Sequence, residues 1–61
     1  MCEFRVLIDG ETVFEDVIYA RDEGGRILLK DILGESKVFE NCKIVEVDVG
    51  STRLILARRN Y

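Results

Sequence analysis

The sequence predicts an all-β fold: a single domain spanning residues 1–61, built as a small five-stranded antiparallel barrel of the SH3-like, Sm-like or OB-like kind. Three observations carry this. β-Branched and other apolar residues are dense, yet no segment sustains a helical apolar period. Glycine-centred turn signals recur at Asp9-Gly10, Glu23-Gly24-Gly25, Gly34-Glu35 and Gly50-Ser51, cutting the chain into strand-length pieces. Closing so short a sheet on itself removes the exposed edges that invite unwanted pairing.

The strands follow in order. In Cys2 to Ile8, Phe4, Val6 and Ile8 alternate with Glu3, Arg5 and Leu7, the period of a half-buried strand. Asp-Gly supplies the positive φ of a tight hairpin. Val13 to Arg21 comes next, with Val17 and Tyr19 set against Ile18 and Ala20. The acids Glu15 and Asp16 interrupt it and predict a kink or bulge. Arg26 to Leu33 places Ile27 and Leu29 on one parity. Lys43 to Val49 places Val45, Val47 and Val49 on the apolar face, with Glu46 and Asp48 opposite. Thr52 to Arg59 turns Leu54 and Leu56 one way, Ile55 and Ala57 the other.

A 61-residue chain buries only about 60% of its unfolded surface, so its core is marginal. Leu7, Ile18, Leu28, Leu33, Ile44 and Ile55 fall largely outside the inward set; some of them cap the barrel ends, and the remainder leave an apolar patch that a second subunit could cover. A two-fold homodimer is the commonest closed arrangement.

Composition narrows the chemistry. There are 12 acidic and 9 basic residues, a net charge of −3, which gives no general attraction to phosphate backbones. No apolar run approaches the roughly 20 residues that cross a bilayer. The acidic-polar start resembles no secretory leader, so a cytoplasmic protein with reduced thiols is expected. With no histidine, the side chain that titrates near neutrality is missing, and no catalytic constellation is visible. Ser36 and Ser51 have no evident base. Glu15-Asp16 and Asp22-Glu23 read as solvated turns. Gly24-Gly25 lacks the strand-to-helix setting of a phosphate loop. A non-enzymatic protein is expected.

Cys2 and Cys42 are the only cysteines. They could form a disulfide, a shared metal site, or neither, and their spacing matches no zinc pattern. Cys42 sits beside an apolar strand and reads as structural. Cys2 directly follows the initiator methionine. Removal of Met1 would leave a thiol and an α-amine on one residue, a five-membered chelate. With Met1 kept, the thiolate and nearby backbone nitrogens remain. Two copies of Cys2 in a dimer would supply two thiolates, and nitrogens could complete a planar set of four. Square-planar geometry suits Ni(II) or Cu(II), and thiolates reduce Cu(II), which leaves Ni(II) as the best match. Near the other end, Arg53, Arg58, Arg59 and Tyr61 offer an alternative: charge and stacking for single-stranded RNA.

The order Met1-Cys2, Asp9-Gly10, Glu15-Asp16-Val17, Glu23-Gly24-Gly25, Leu33-Gly34-Glu35 and Ile44-Val45-Glu46-Val47-Asp48 resembles the CooT-type small nickel-binding proteins over nearly the whole chain. Leu33 stands where many members carry phenylalanine. The resemblance implies a homodimeric Sm-like β-barrel and nickel delivery to carbon monoxide dehydrogenase. It also implies one Ni(II) held where two Cys2 residues approach at the dimer interface, with no part for Cys42. The same family is often labelled RNA-binding by fold analogy, which does not establish function. The HypC-type hydrogenase maturation chaperones also open on Met-Cys. They usually follow it with proline and end in a helix, and this chain has neither feature.

Overall fold

The structure, a computed structural model, describes residues 3–59. Six strands form one sheet: β1 (Phe4–Ile8), β2 (Glu11–Asp22), β3 (Arg26–Asp31), β4 (Ser36–Glu40), β5 (Cys42–Asp48) and β6 (Arg53–Arg58). Their order across the sheet is β4-β3-β2-β1-β6-β5. The all-β class is as the sequence predicts.

The Asp9-Gly10 signal makes the β1–β2 hairpin, with φ of 54° and 79° at its two central residues. Two positive φ values match the twist of the flanking strands. The acidic pair makes the expected bulge. Phe4 pairs with Val17 and Val6 with Phe14, so Glu15 and Asp16 carry one residue too many, and Asp16 absorbs it at φ 58°. Two further residues are surplus: Val13, between Thr12 opposite Leu7 and Phe14 opposite Val6, and Ile18, between Val17 opposite Asp31 and Tyr19 opposite Lys30. These irregularities bend the 12-residue β2, so that its first half pairs with β1 and its second half with β3.

The five-stranded antiparallel barrel is corrected in three respects. Ser36–Glu40 is a sixth strand, paired with β3 from Arg26↔Glu40 to Lys30↔Ser36. Its two apolar residues, Val38 and Phe39, are adjacent, so it shows no alternation. β1 and β6 run parallel, Arg5↔Arg53 to Ile8↔Leu56, a pairing between chain ends that no local pattern encodes. The sheet is open rather than closed, with β4 and β5 as its edges. Asn41 alone joins those edges, at φ 57°. The Cys42 N–H donates to the Gly25 carbonyl (3.3 Å) and the Arg59 N–H to the Asn41 carbonyl (2.7 Å). The edges therefore meet at this corner without forming a ladder along their length.

The concave face holds the core: Val6, Ile8, Val17, Ile27, Leu29, Cys42, Leu54 and Leu56. Phe4, Val13, Phe14, Phe39 and Ile44 pack around it. On β5 the expected apolar face is broken. Cys42 and Ile44 turn inward, and a bulge follows: Ile44 pairs with Leu56 but Glu46 with Ile55, so Val45 is surplus. After it Val47 comes opposite Leu54 on the core face, and Val45, Val47 and Val49 are all exposed. Tyr19, expected beside Val17, is likewise turned out by the Ile18 bulge and carries the Lys30 ammonium 5.2 Å from its ring centroid.

Candidate functional site

Cys2, the residue on which the metal reading rests, lies outside the described residues, as do Met1, Asn60 and Tyr61. The described chain starts at Glu3 and enters β1 at Phe4. Parallel pairing fixes this end: the Arg5 N–H donates to the Thr52 carbonyl at 2.9 Å.

Beside that end the concave face is uncovered. A cleft of about 250 Å³ has Phe4 and Leu54 as its floor, the β2 residues Val17 and Ile18 on one side, and Ile44 and Val47 of β5 on the other. It arises because the sheet stays open. Val47 pairs with Leu54, which puts it on the core face, yet among the described residues it is 58% exposed. Ile18 (51%) and Tyr19 (42%) rim the far wall, and Val45 and Val49 continue the apolar surface along the β5 edge. The expected patch is thus present in part. Ile18 and Leu33 are exposed, whereas Leu7, Leu28, Ile44 and Ile55 are half-buried.

A second, polar hollow of about 350 Å³ adjoins the same end, lined by Glu3, Phe4, Arg5, Glu15, Asp16 and the Ser51-Thr52 turn. Asp48 holds that turn: its carboxylate accepts the Ser51 N–H at 3.2 Å and faces the Arg53 guanidinium at 3.5 Å. Hydrogen bonds from Ser51, and then Arg53, hold the Asp48 carboxyl below the ordinary carboxylate range.

Cys42 is 3% exposed inside the core, and its thiol donates to the Glu40 carbonyl at 3.4 Å. Its sulfur is packed among core side chains, and a separate hollow beside it is lined by Phe39, Asn41, Arg58 and Arg59. Among the described residues, no three His, Cys, Asp or Glu side chains come together as a metal site.

The arginines do not gather into one strip. Arg53 and Arg58 lie five positions apart on β6, on opposite faces. Arg53 is engaged by Asp48 and the Ser51 hydroxyl, and Arg58 lies 3.9 Å from Asp9. Sequence reading overlooked Asp31. This carboxylate is 8% exposed and organises the β3–β4 connection, accepting the Leu33 and Glu35 N–H groups at 2.9 and 2.8 Å. The signal was an aspartate preceding Gly34-Glu35, where such side chains fold back on their own backbone.

With this geometry in view, comparison with known proteins gives two findings. The family described as CO dehydrogenase accessory protein CooT matches residues 1–57. An uncharacterized protein of Methanocaldococcus jannaschii is 27% identical over 56 residues, covering 92% of this chain and 96% of its own. No helix among the described residues is long and apolar enough to cross a membrane.

Proposed function

The chain belongs to the CooT family of CO dehydrogenase accessory proteins, and from that premise we propose that it is a nickel carrier for such an enzyme, a binding protein rather than a catalyst. Two chains form a homodimer, and one Ni(II) is held between the two Cys2 thiolates and neighbouring main-chain or terminal nitrogens. Ni(II) tolerates a planar N/S donor set, which two cysteines and their own nitrogens can supply without histidine. Cys42 takes no part, since its sulfur is buried and hydrogen-bonded within its own core.

One observation carries the reading. The uncovered apolar cleft is floored by Phe4, two residues after Cys2 in the sequence. A second copy that covers the cleft brings its own Phe4, and hence its own chain start, to the same place, because a two-fold interface uses one patch twice. Apolar burial of this kind also supplies what so small a core lacks.

Native mass spectrometry tests the assembly. The expected species is a dimer that gains a single nickel on titration. A monomer, or one nickel bound by each separate chain, contradicts the proposal. Val47→Asp tests the surface. A carboxylate in an interface without a partner costs about 2–5 kcal/mol, so this variant should be monomeric at micromolar concentration and lose nickel affinity although Cys2 is intact. Because Val47 is 58% exposed, the isolated fold should persist, as circular dichroism would report.

A further inference from the structure

The β3–β4 connection holds apolar side chains in water on a braced frame. Leu33 is 86% exposed and Ile32 44%. The five consecutive N–H groups from Asp31 to Glu35 all donate within the protein. Asp31 N–H reaches the Glu35 carbonyl (2.9 Å), Ile32 N–H the Asp16 carbonyl (3.0 Å) and Gly34 N–H the Asp31 carbonyl (3.1 Å). Leu33 and Glu35 N–H share the Asp31 carboxylate. Gly34, at φ 87°, closes the turn. A tip fixed in this way has little conformational entropy left to lose on binding, and preordering of that kind raises affinity.

The surroundings specify a partner. Asp16 and Glu35 are exposed beside the tip, Glu15 is exposed next to Asp16 in the chain, and among the described residues none of the three forms an ion pair. The lysines nearest in sequence are set against rings, Lys30 over Tyr19 and Lys37 4.9 Å from the Phe14 centroid. An apolar tip in a negative collar is repelled by nucleic acid and by anionic lipid. It complements a protein surface on which an apolar pocket is rimmed by lysine or arginine. The Asp16 that receives the Ile32 N–H also lines the polar hollow with Glu3, so the tip lies at the end of the fold where the chain starts.

We propose that Leu33 and Ile32, collared by Glu15, Asp16 and Glu35, are the client-docking element, inserted into a basic-rimmed apolar pocket of the enzyme that receives the metal. The proposal rests on the accessory-protein reading above. Its test measures binding of the full-length dimer to nickel-free CO dehydrogenase of the same organism, for wild type, Leu33→Asp, Leu33→Met and Cys2→Ser. Leu33→Asp should bind at least about tenfold more weakly, the scale of a lost anchor, with its dimer mass and nickel stoichiometry unchanged. Leu33→Met should bind nearly as wild type, Cys2→Ser should dock without delivering nickel, and added salt should weaken docking. Equal binding by wild type and Leu33→Asp overturns the docking element while leaving the accessory reading in place. No binding by wild type overturns both. Leu33-dependent binding to anionic vesicles instead of the enzyme overturns the assignment of a protein partner.

Discussion

Leu29→Ala is expected to remove about 2–5 kcal/mol of stability, the range for deleting a buried leucine side chain. Leu29 has no exposed surface. Its cross-strand neighbours are Ala20 on β2 and Lys37 on β4. The first is too short, and the second too strongly hydrated, to fill the space left behind, so the site cannot collapse around the smaller side chain. A chain of 61 residues has a total stability of only about 3–9 kcal/mol at roughly 0.05–0.15 kcal/mol per residue. The loss is therefore comparable to the whole. In thermal melts followed by circular dichroism, the midpoint should fall by at least about 8 °C, since 1 kcal/mol moves a domain of this size by about 4–8 °C. Val38→Ala is the control. Val38 is 48% exposed on the β4 edge and faces Leu28 on the outer side, so its loss should stay within about 1 kcal/mol. Melts must be compared at one protein concentration, because the proposed dimerisation would stabilise the folded state by mass action. Equal shifts for the two variants would contradict the assignment of the core to the concave face.

Much of that core was legible in the sequence because it obeys period two between recognisable turns. Val6, Ile8, Val17, Ile27, Leu29, Leu54 and Leu56 all lie on the parity their strands predicted. Asp9-Gly10 and Glu15-Asp16 announced a turn and a bulge through backbone chemistry that depends only on local residues. What was not legible is non-local or depends on a single inserted residue. Val45 looks like one member of an alternating row. Only its pairing with β6 shows it to be surplus, and that surplus reverses the face of everything after it. The parallel β1–β6 pairing joins the two ends of the chain. β4 is polar enough to pass for a loop. Of the candidate site, Cys2 stood out by position alone. The cleft next to its end of β1 could not be foreseen, because a closed barrel would have filled it.

Cys2→Ser is the second change with a large expected effect. A serine hydroxyl stays protonated at neutral pH and is a hard, weak donor to Ni(II), whereas a thiolate is a strong one. One substitution removes both thiolates from the proposed dimer site. Losing a group that merely orients a ligand costs about 10–100-fold in metal affinity, so losing both sulfur ligands should cost more than about a hundredfold. The fold should not suffer, because Cys2 precedes β1 and, among the described residues, the buried set runs from Val6 to Leu56. Binding by the wild type should weaken as pH falls, since the thiol and the nitrogens must lose protons to coordinate. Cys42→Ser should retain nickel even where it lowers the melting temperature, because that sulfur belongs to the core.

Calorimetric titration of Ni(II) into wild type and Cys2→Ser at neutral pH is the most direct measurement of the nickel-carrier reading. The expected result is one nickel per two chains for the wild type and loss of that binding in Cys2→Ser with the dimer intact. Equal affinity and stoichiometry in the two proteins would contradict it.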